Sequence, residues 1–404
     1  KQEIGECKPM KLKRFTAGVL ACALLIGGAA GCTVGGDNSW CAKTSSTTLP
    51  AGVYIYELYS AYNEAQSKTT GTSDMKKAKI DNQAAMTWVN NRAKVLTNEL
   101  FLLNDKMKAM KLSFSSAENA GIKQMADNAW AQQFSSALKG KNVSEDSFKI
   151  AYAEYTYQLR KVLQGIYDTG GSKAIPESEM KAYFEKHYSD VDFTYVPLTK
   201  GGSSSAAGTA MTAQEKATLK KELESYLSQI QSGKMTVQAA SAAYAKAHGA
   251  TDNYQNVTED MDSSTVTSSM PPDLIQAIKS MKAGESRLLE VSSYYYVLVT
   301  KNDITKKTAS FLKNQDDRFK LLYAQKGDQF LKDLEAEAKS YKGVDWNERV
   351  TRKFTSDLFY TAPSSSAGPS SAASSKVTAS ASSSTVSSAK ASQSSAVSSR
   401  TSSK

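Results

Sequence analysis

Cysteine and histidine are scarce in this chain: its 404 residues hold four of the first and two of the second. Cys7 and Cys22 precede a run of small residues that ends in Cys32, so Cys41 is the one thiol left for the body of the protein. With no cysteine pair to close a loop, stability has to come from an apolar core. His187 falls at the end of a predicted helix, where the dipole favours a cation, and His248 stands beside Gly249, which caps another. Neither has a nucleophile or acid partner in a recognisable motif, and local roles account for both. The sequence holds no metal-ligand cluster, no phosphate-cradling glycine loop and no nucleophile elbow, so neither a metal nor a cofactor is expected. The apolar run near the N-terminus falls short of the roughly 20 residues that span a bilayer. Of the ten net positive charges, three fall in residues 1–31 and four in residues 362–404, which leaves three for everything between. No basic patch is interleaved with aromatics, and nucleic acid is excluded as a partner.

The two ends carry strong compositional bias. Lys11, Lys13 and Arg14 form a basic segment, Phe15 to Ile26 is apolar, and Gly27-Gly28-Ala29-Ala30-Gly31-Cys32 follows with small residues. This is the order of a secretory signal peptide, and its end resembles a bacterial lipobox, in which Cys32 becomes the lipidated first residue. The pattern usually places Leu three residues before the cysteine, where this chain has Ala29. Residues 1–31 are therefore read as a signal peptide with an extension upstream of Met10, and 32–52 as a flexible leader in which Cys41 is incidental. The expected location is the outer face of a bacterial cytoplasmic membrane, with a lipid anchor. Residues 362–404 fall to Ser, Ala and Thr with scattered Lys. So little burial cannot offset chain entropy, and a disordered tail is expected, either a plain solvated end or a spacer along the cell wall.

Between the ends, apolar periodicity sets out the elements. Val53 to Ala65 reads as an aromatic-rich helix whose tyrosines are core or a docking surface, with core favoured because aromatics at helical spacing usually pack. Val89, Ala93, Leu96, Leu100, Leu103, Met107 and Met110 step by four and three, which predicts a long amphipathic helix. Ser115 and Ser116 begin another. Ser144, with Glu145 and Asp146 behind it, caps a third, along which Phe148, Tyr152, Tyr155, Leu159, Val162 and Ile166 repeat the stepping. Two such stripes imply a helical bundle, which Thr169-Gly170-Gly171 interrupts. A short helix then runs to His187, and Val191 to Leu198 alternates as a strand with Pro197 at its end. Gly201 to Ala210 reads as a flexible insertion. Leu219, Leu223, Tyr226 and Ile230 mark one helix, Val237, Ala240, Tyr244 and Ala247 a second, and a polar loop leads to Ser269.

The most ordered stretch is Met270 to Asn302. Pro271 and Pro272 open a helix that carries Leu274, Ile275, Ile278 and Met281 at helical spacing, and Gly284 ends it. Arg287 to Val291 and Tyr294 to Thr300 are β-favouring runs separated by Ser292-Ser293, the pattern of two strands joined by a tight turn. Lys306 to Tyr341 is again helical, with Phe319, Leu322, Phe330, Leu334 and Tyr341 near one face, and Val344 to Phe359 is short and mixed. A helical segment after a small α/β module can return to the earlier helices and complete their core.

This arrangement resembles the extracytoplasmic foldases of the PrsA and SurA type, over most of Val53 to Phe359. The residues that carry the likeness are Ile175-Pro176-Glu177-Ser178-Glu179-Met180-Lys181-Ala182-Tyr183-Phe184-Glu185, similar to the helix leading into the family's catalytic module, and Met270 to Thr300, similar to that module's end. The resemblance implies an α+β fold. A mostly helical, discontinuous chaperone domain (53–188 and 304–361) would carry an inserted parvulin-like peptidyl-prolyl isomerase domain (189–303), followed by a disordered Ser/Ala-rich tail (362–404). Parvulins carry a histidine in the first strand of that module and another in the last. Here Phe193-Thr194-Tyr195-Val196 and Tyr294-Tyr295-Tyr296-Val297 stand in those places, and the family's Gly-Gly-Asp-Leu-Gly turn is absent from Gly249 to Ser269.

Prolyl isomerisation requires a pocket that desolvates and twists an amide whose intrinsic barrier is roughly 20 kcal/mol. The chain replaces the implied histidines with tyrosines, and no catalytic residue is assigned. The expected site is a substrate groove lined by Phe193, Tyr195, Met270, Leu274, Tyr294 and Tyr296. The expected partners are unfolded or nascent secreted polypeptides, with the membrane reached through the lipid anchor. The rival reading is a non-catalytic surface lipoprotein that acts as a scaffold or adhesive module. A solute-binding lipoprotein fits less well, because two α/β lobes need more strand–helix repeats.

Overall fold

The computed structural model describes residues 39–69, 74–200 and 209–362. The expected signal peptide, the lipidation of Cys32, the tail beyond Ala362 and most of the Gly201 to Ala210 insertion lie outside the described residues. The described chain is an α+β fold, helical for the most part, with small antiparallel sheets.

Residues 40–50, expected within a flexible leader, instead form strands β1 (Trp40–Lys43) and β2 (Thr48–Pro50). Cys41, in β1, is fully buried, its thiol 3.4 Å from the Leu49 carbonyl oxygen and 3.3 Å from that of Pro50. It is a core residue and not an incidental thiol, and burial pushes its pKa up to about 12. The third strand of this sheet, Asp345–Trp346, arrives from the other end of the body and sets Trp346 opposite Ala42. Pairing across so much of the chain leaves no local trace in the sequence.

Helix α1 (Ala51–Lys68) follows at once. Its first turns are buried on all sides through Val53, Tyr54, Ile55, Tyr56 and Leu58, so these tyrosines are core and not a docking surface. Gly52 permits this depth: a Cβ there would stand 2.6 Å from Ser147 Oγ and 3.1 Å from the Asn142 carbonyl oxygen. Helix α2 (Ala85–Ala109) is the spine between two cores. Val89, Ala93, Leu100 and Phe101 enter the first, around α1, while Leu102, Leu103 and Met107 enter the second.

Helix α3 (Ser116–Ala129) opens with a capping box between Ser115 and Glu118, and a π turn at Trp130–Phe134 extends it. Ser144 caps the short helix Glu145–Phe148, which runs through a second π turn, Lys149–Glu154, into α4 (Tyr155–Tyr167). The expected unbroken stripe therefore changes phase. Phe148 and Tyr152 are buried as expected, but beyond the π turn the seam continues through Gln158, Val162, Leu163 and Tyr167, leaving Tyr155, Leu159 and Ile166 only partly covered.

After α5 (Glu177–His187) the chain enters a four-stranded antiparallel sheet through β3 (Tyr188–Pro197). Helices α6 (Ala213–Gln231) and α7 (Val237–His248) cross one face of that sheet. The residues expected as a polar loop hold strand β4 (Gln255–Asp260) and the short helix Ser264–Ser269. Strand β4 escapes pattern reading because it lies at a sheet edge and is polar. Its Asn256 and Thr258 are satisfied by the buried carboxylate of Asp190, at 3.1 and 2.8 Å. Helix α8 (Pro272–Ser280) covers the other face and ends before Gly284. Gly284, at φ +81°, instead makes the turn into β5 (Ser286–Val291), its N–H donating to the Lys301 carbonyl at 2.7 Å. Strand β6 (Tyr295–Lys301) completes the order β4-β3-β6-β5. Covered on both faces, β3 is buried along most of its length and does not simply alternate.

The chain then returns to the helices. Asn314 splits the expected single helix into α9 (Thr305–Lys313) and α10 (Gln315–Ser340), its side chain accepting from the N–H groups of Asp316 and Asp317. Phe311, Phe319, Leu322, Phe330 and Leu334 close the second core over Phe184, and Val350 and Phe354 close the first. Phe184 and Phe311 stack at 4.4 Å between centroids. Among the described residues, no helix is long and apolar enough to cross a membrane.

Candidate functional site

The site follows from strand register. Strands β3 and β6 pair with Tyr195 opposite Val297, Val196 opposite Tyr296 and Pro197 opposite Tyr295. Residues opposite one another share a face, and successive residues alternate. Phe193, Tyr195, Tyr295, Val297 and Val299 therefore look toward α8, whereas Val196 and Tyr296 look toward α6 and α7. Tyr296 is 4% exposed and packs in the core with Leu219, Leu223 and Ala240. It is not part of any groove shared with Tyr195, because the two lie on opposite faces of one sheet.

Four of the six expected residues do come together. Phe193 and Leu274 are buried in the core under α8, and Tyr195 and Met270 pack half-buried against it. Tyr294, 64% exposed, stands in the β5–β6 turn. The residue that sequence reading missed is Tyr295, 36% exposed, whose ring meets that of Tyr195 edge-on at 5.6 Å between centroids and 84° between planes. The available signal was alternation: stepping back by two from Val299 and Val297 reaches Tyr295. The result is two neighbouring phenol rings beside half-buried Met270, over a core that includes Phe193 and Leu274.

The hairpin that carries Tyr295 is held from three sides. Ser292 and Ser293 both adopt positive φ, 51° and 59°, the form of a primed turn, and the Tyr294 N–H donates to the Val291 carbonyl at 3.1 Å. The Tyr294 carbonyl accepts from Leu198 N–H at 2.8 Å. Asp273, in the first turn of α8, accepts the Ser292 N–H at 2.7 Å. Behind the sheet, Thr194 and Ser241 share a hydrogen bond of 2.8 Å and Ser241 donates to Asp252 at 2.5 Å, which ties α7 to β3.

A second polar group secures β4 and the exit from the module. Asp192 accepts from the Tyr254 hydroxyl at 2.6 Å, from Asn256 at 3.0 Å and from Asn302 at 2.8 Å. Burial, together with the bond to Asp192, pushes the Tyr254 hydroxyl up to about 12. Both histidines have local partners, His187 stacked on Tyr183 and His248 stacked on Tyr244 and bonded to Glu222 at 3.0 Å. Among the described residues no group of His, Cys, Asp and Glu is placed to hold a metal ion. What the Tyr195–Tyr295 face offers is apolar contact, aromatic stacking and hydroxyl hydrogen bonding.

No protein-family model matches the chain, and no curated protein matches it in sequence. Among solved structures it is similar to the foldase protein PrsA from Lactococcus lactis, with 16% identity over 78% of this chain and 99% of that one, at a TM-score of 0.34. It is also similar to foldase protein PrsA from Streptococcus pneumoniae, with 11% identity, 70% and 97% coverage and a TM-score of 0.36. For PrsA from Bacillus subtilis the values are 12%, 73% and 100%, and 0.31.

Proposed function

We propose that the protein is a membrane-anchored extracytoplasmic foldase that works as a chaperone, holding unfolded secreted polypeptides on the Tyr195–Tyr295 face without parvulin-type turnover. The observation that carries this is the pair of partly exposed phenol rings, Tyr195 and Tyr295, beside half-buried Met270. Such a surface takes apolar and aromatic side chains with little selectivity, which suits clients of many sequences. The resemblance puts histidines where Tyr195 and the Tyr294–Tyr296 run stand, so binding is retained while the usual chemistry is not. Anchoring rests on the sequence before and at Cys32, which would hold the face where polypeptides emerge.

Two assays on the full chain test this. Aggregation of a reduced secreted protein should be suppressed near equimolar ratio, and no suppression at stoichiometric excess counts against the chaperone. A protease-coupled prolyl-isomerisation assay should show no acceleration above background. Turnover that Tyr195→Phe and Tyr295→Phe abolish would make the site catalytic. Capture of one folded partner, in place of many unfolded clients, would favour a scaffold or adhesive module.

A further inference from the structure

Residues 355–361 lie as a strap against α1. A 3-10 turn, Ser356–Leu358, leads from the core residue Phe354 to Phe359 and Tyr360. The Phe359 ring stands 5.4 Å from that of Tyr59 and 6.3 Å from that of Tyr62, one helical turn further on, and Tyr59 meets Phe134 at 6.2 Å. Two cations frame this aromatic seat. Lys141 Nζ is 5.3 Å from the centre of the Phe359 ring and donates to the Leu358 carbonyl at 2.9 Å. Lys76 Nζ is 4.4 Å from the centre of the Tyr360 ring and 3.0 Å from the Asp357 carboxylate. The Tyr360 hydroxyl donates to Asp74 at 3.0 Å.

The strap has a firm end and a loose one. Ser356 is 1% exposed, its N–H donating to Asn90 at 2.8 Å and its hydroxyl to the Met86 carbonyl at 3.0 Å. From Asp357 onward the residues are half-buried or exposed. The side chains of Lys76 and Asp357 are 52% and 64% exposed, and ion pairs and cation–π contacts in water contribute little. The N–H groups of Leu358, Phe359 and Tyr360 donate to the carbonyls of Thr355, Ser356 and Asp357 at 3.0, 3.1 and 3.3 Å. These bonds lie within the strap, so they travel with it.

We propose that residues 357–361 are an autoinhibitory strap, which lifts about Ser356 and yields its seat on α1 to a polypeptide segment of its own pattern: an acidic residue, then, two residues on, a pair of adjacent aromatics. The occupant is read from the strap itself. Tyr59, Tyr62 and Phe134 take the first aromatic ring, Lys76 takes the carboxylate and the face of the second ring, and Lys141 takes the carbonyl between them. Because the strap is tethered beside its seat, it competes at an effective concentration on the order of mM, and free segments bind when it lifts. The seat and the Tyr195–Tyr295 face share no residue, so failure at one does not decide the other.

The probe is a labelled hexapeptide with the strap's own sequence, Ser-Asp-Leu-Phe-Tyr-Thr, with Ser-Asp-Leu-Ala-Ala-Thr as control, and fluorescence anisotropy reads both against the full chain. The parent chain should bind the probe weakly. F359A/Y360A, which removes the anchors of the tethered occupant, should bind it at least about tenfold more tightly while leaving the control unbound. Adding K76Q/K141Q should remove most of that gain. A F359A/Y360A chain that melts like the parent and binds the probe no better than the parent does overturns the proposal, as does equal binding of probe and control. Amide exchange on the unaltered full chain supplies a second reading. The Phe359 and Tyr360 amides should exchange by local opening, at a rate insensitive to low urea and well ahead of the Tyr62 amide in α1. Exchange in step with Tyr62 would make the strap a fixed part of the core and overturn the proposal.

Discussion

Asp273 and Ser292 are joined by a hydrogen bond of 2.7 Å from the Ser292 N–H to Oδ2, which pins the β5–β6 turn to the start of α8. The turn needs that support, because Ser292 and Ser293 hold a left-handed backbone at φ 51° and 59°, a conformation L residues disfavour by about 1–2 kcal/mol each. Asp273→Ala should cost roughly 1 kcal/mol, since the bond is exposed, and should speed amide exchange at Ser292 and Tyr294. Ser293→Gly should act in the opposite direction by about 1 kcal/mol, read as a higher urea midpoint at unchanged slope.

Arg92 links α1, α2 and α10. Its guanidinium lies 2.8 Å from Glu64, 3.5 Å from Glu335 and 3.7 Å from Glu99, with the Arg92 and Glu99 side chains largely buried. Removing the cation leaves carboxylates facing one another in a poorly solvated space. Arg92→Met should therefore destabilise the body by about 3 kcal/mol, well beyond what an exposed ion pair contributes. A urea titration measures this directly, and a loss below about 1 kcal/mol would place the stability of this junction in packing alone.

Alkaline stability should report on Cys41. Its thiol sits near 9.0 in the unfolded reference and is pushed up to about 12 in the fold by burial. Above pH 9 the unfolded chain therefore releases a proton that the folded chain keeps. The stabilisation is complete below pH 9 and is lost as pH rises toward 12, at about 1.4 kcal/mol per pH unit. Tyr254 and Tyr341, both raised to about 12, add the same sign from pH 10 upward. Cys41→Ala should flatten the loss between pH 9 and 10, where the two tyrosines contribute little, as read by denaturant midpoints across that range.

What could be read in the sequence was what local spacing determines. The α2 stripe, the helix start at Ser115 and Ser116, the Ser144 cap, and the helix–strand–turn–strand order from Met270 to Asn302 depend on residues three to seven apart, and the structure contains each of them. Strands β1 and β4 depend on partners elsewhere: β1 on Asp345–Trp346, and the polar β4 on the Asp190 carboxylate of β3. The π turn at Lys149–Glu154 moved the seam of α4 by a residue, which a constant period cannot register. Three successive tyrosines give no hydrophobic contrast among themselves, so Tyr296, in the core under α6 and α7, is told from the partly exposed Tyr295 by alternation from Val297 and Val299 and by register with β3. A shift of one residue exchanges the two.

The proposed client contact lies at the Tyr195–Tyr295 end of the sheet face that α8 covers. The most direct measurement is suppression of aggregation of a reduced secreted protein by the full chain, compared with Tyr195→Ala/Tyr295→Ala and, separately, Tyr294→Ala. Removing two partly exposed aromatic anchors should raise the concentration needed for half-suppression about tenfold or more, with a melting curve close to that of the parent chain. Tyr294→Ala, at the turn, should have a smaller effect. Full suppression by a folded Tyr195→Ala/Tyr295→Ala chain would contradict the proposal that this face holds the client.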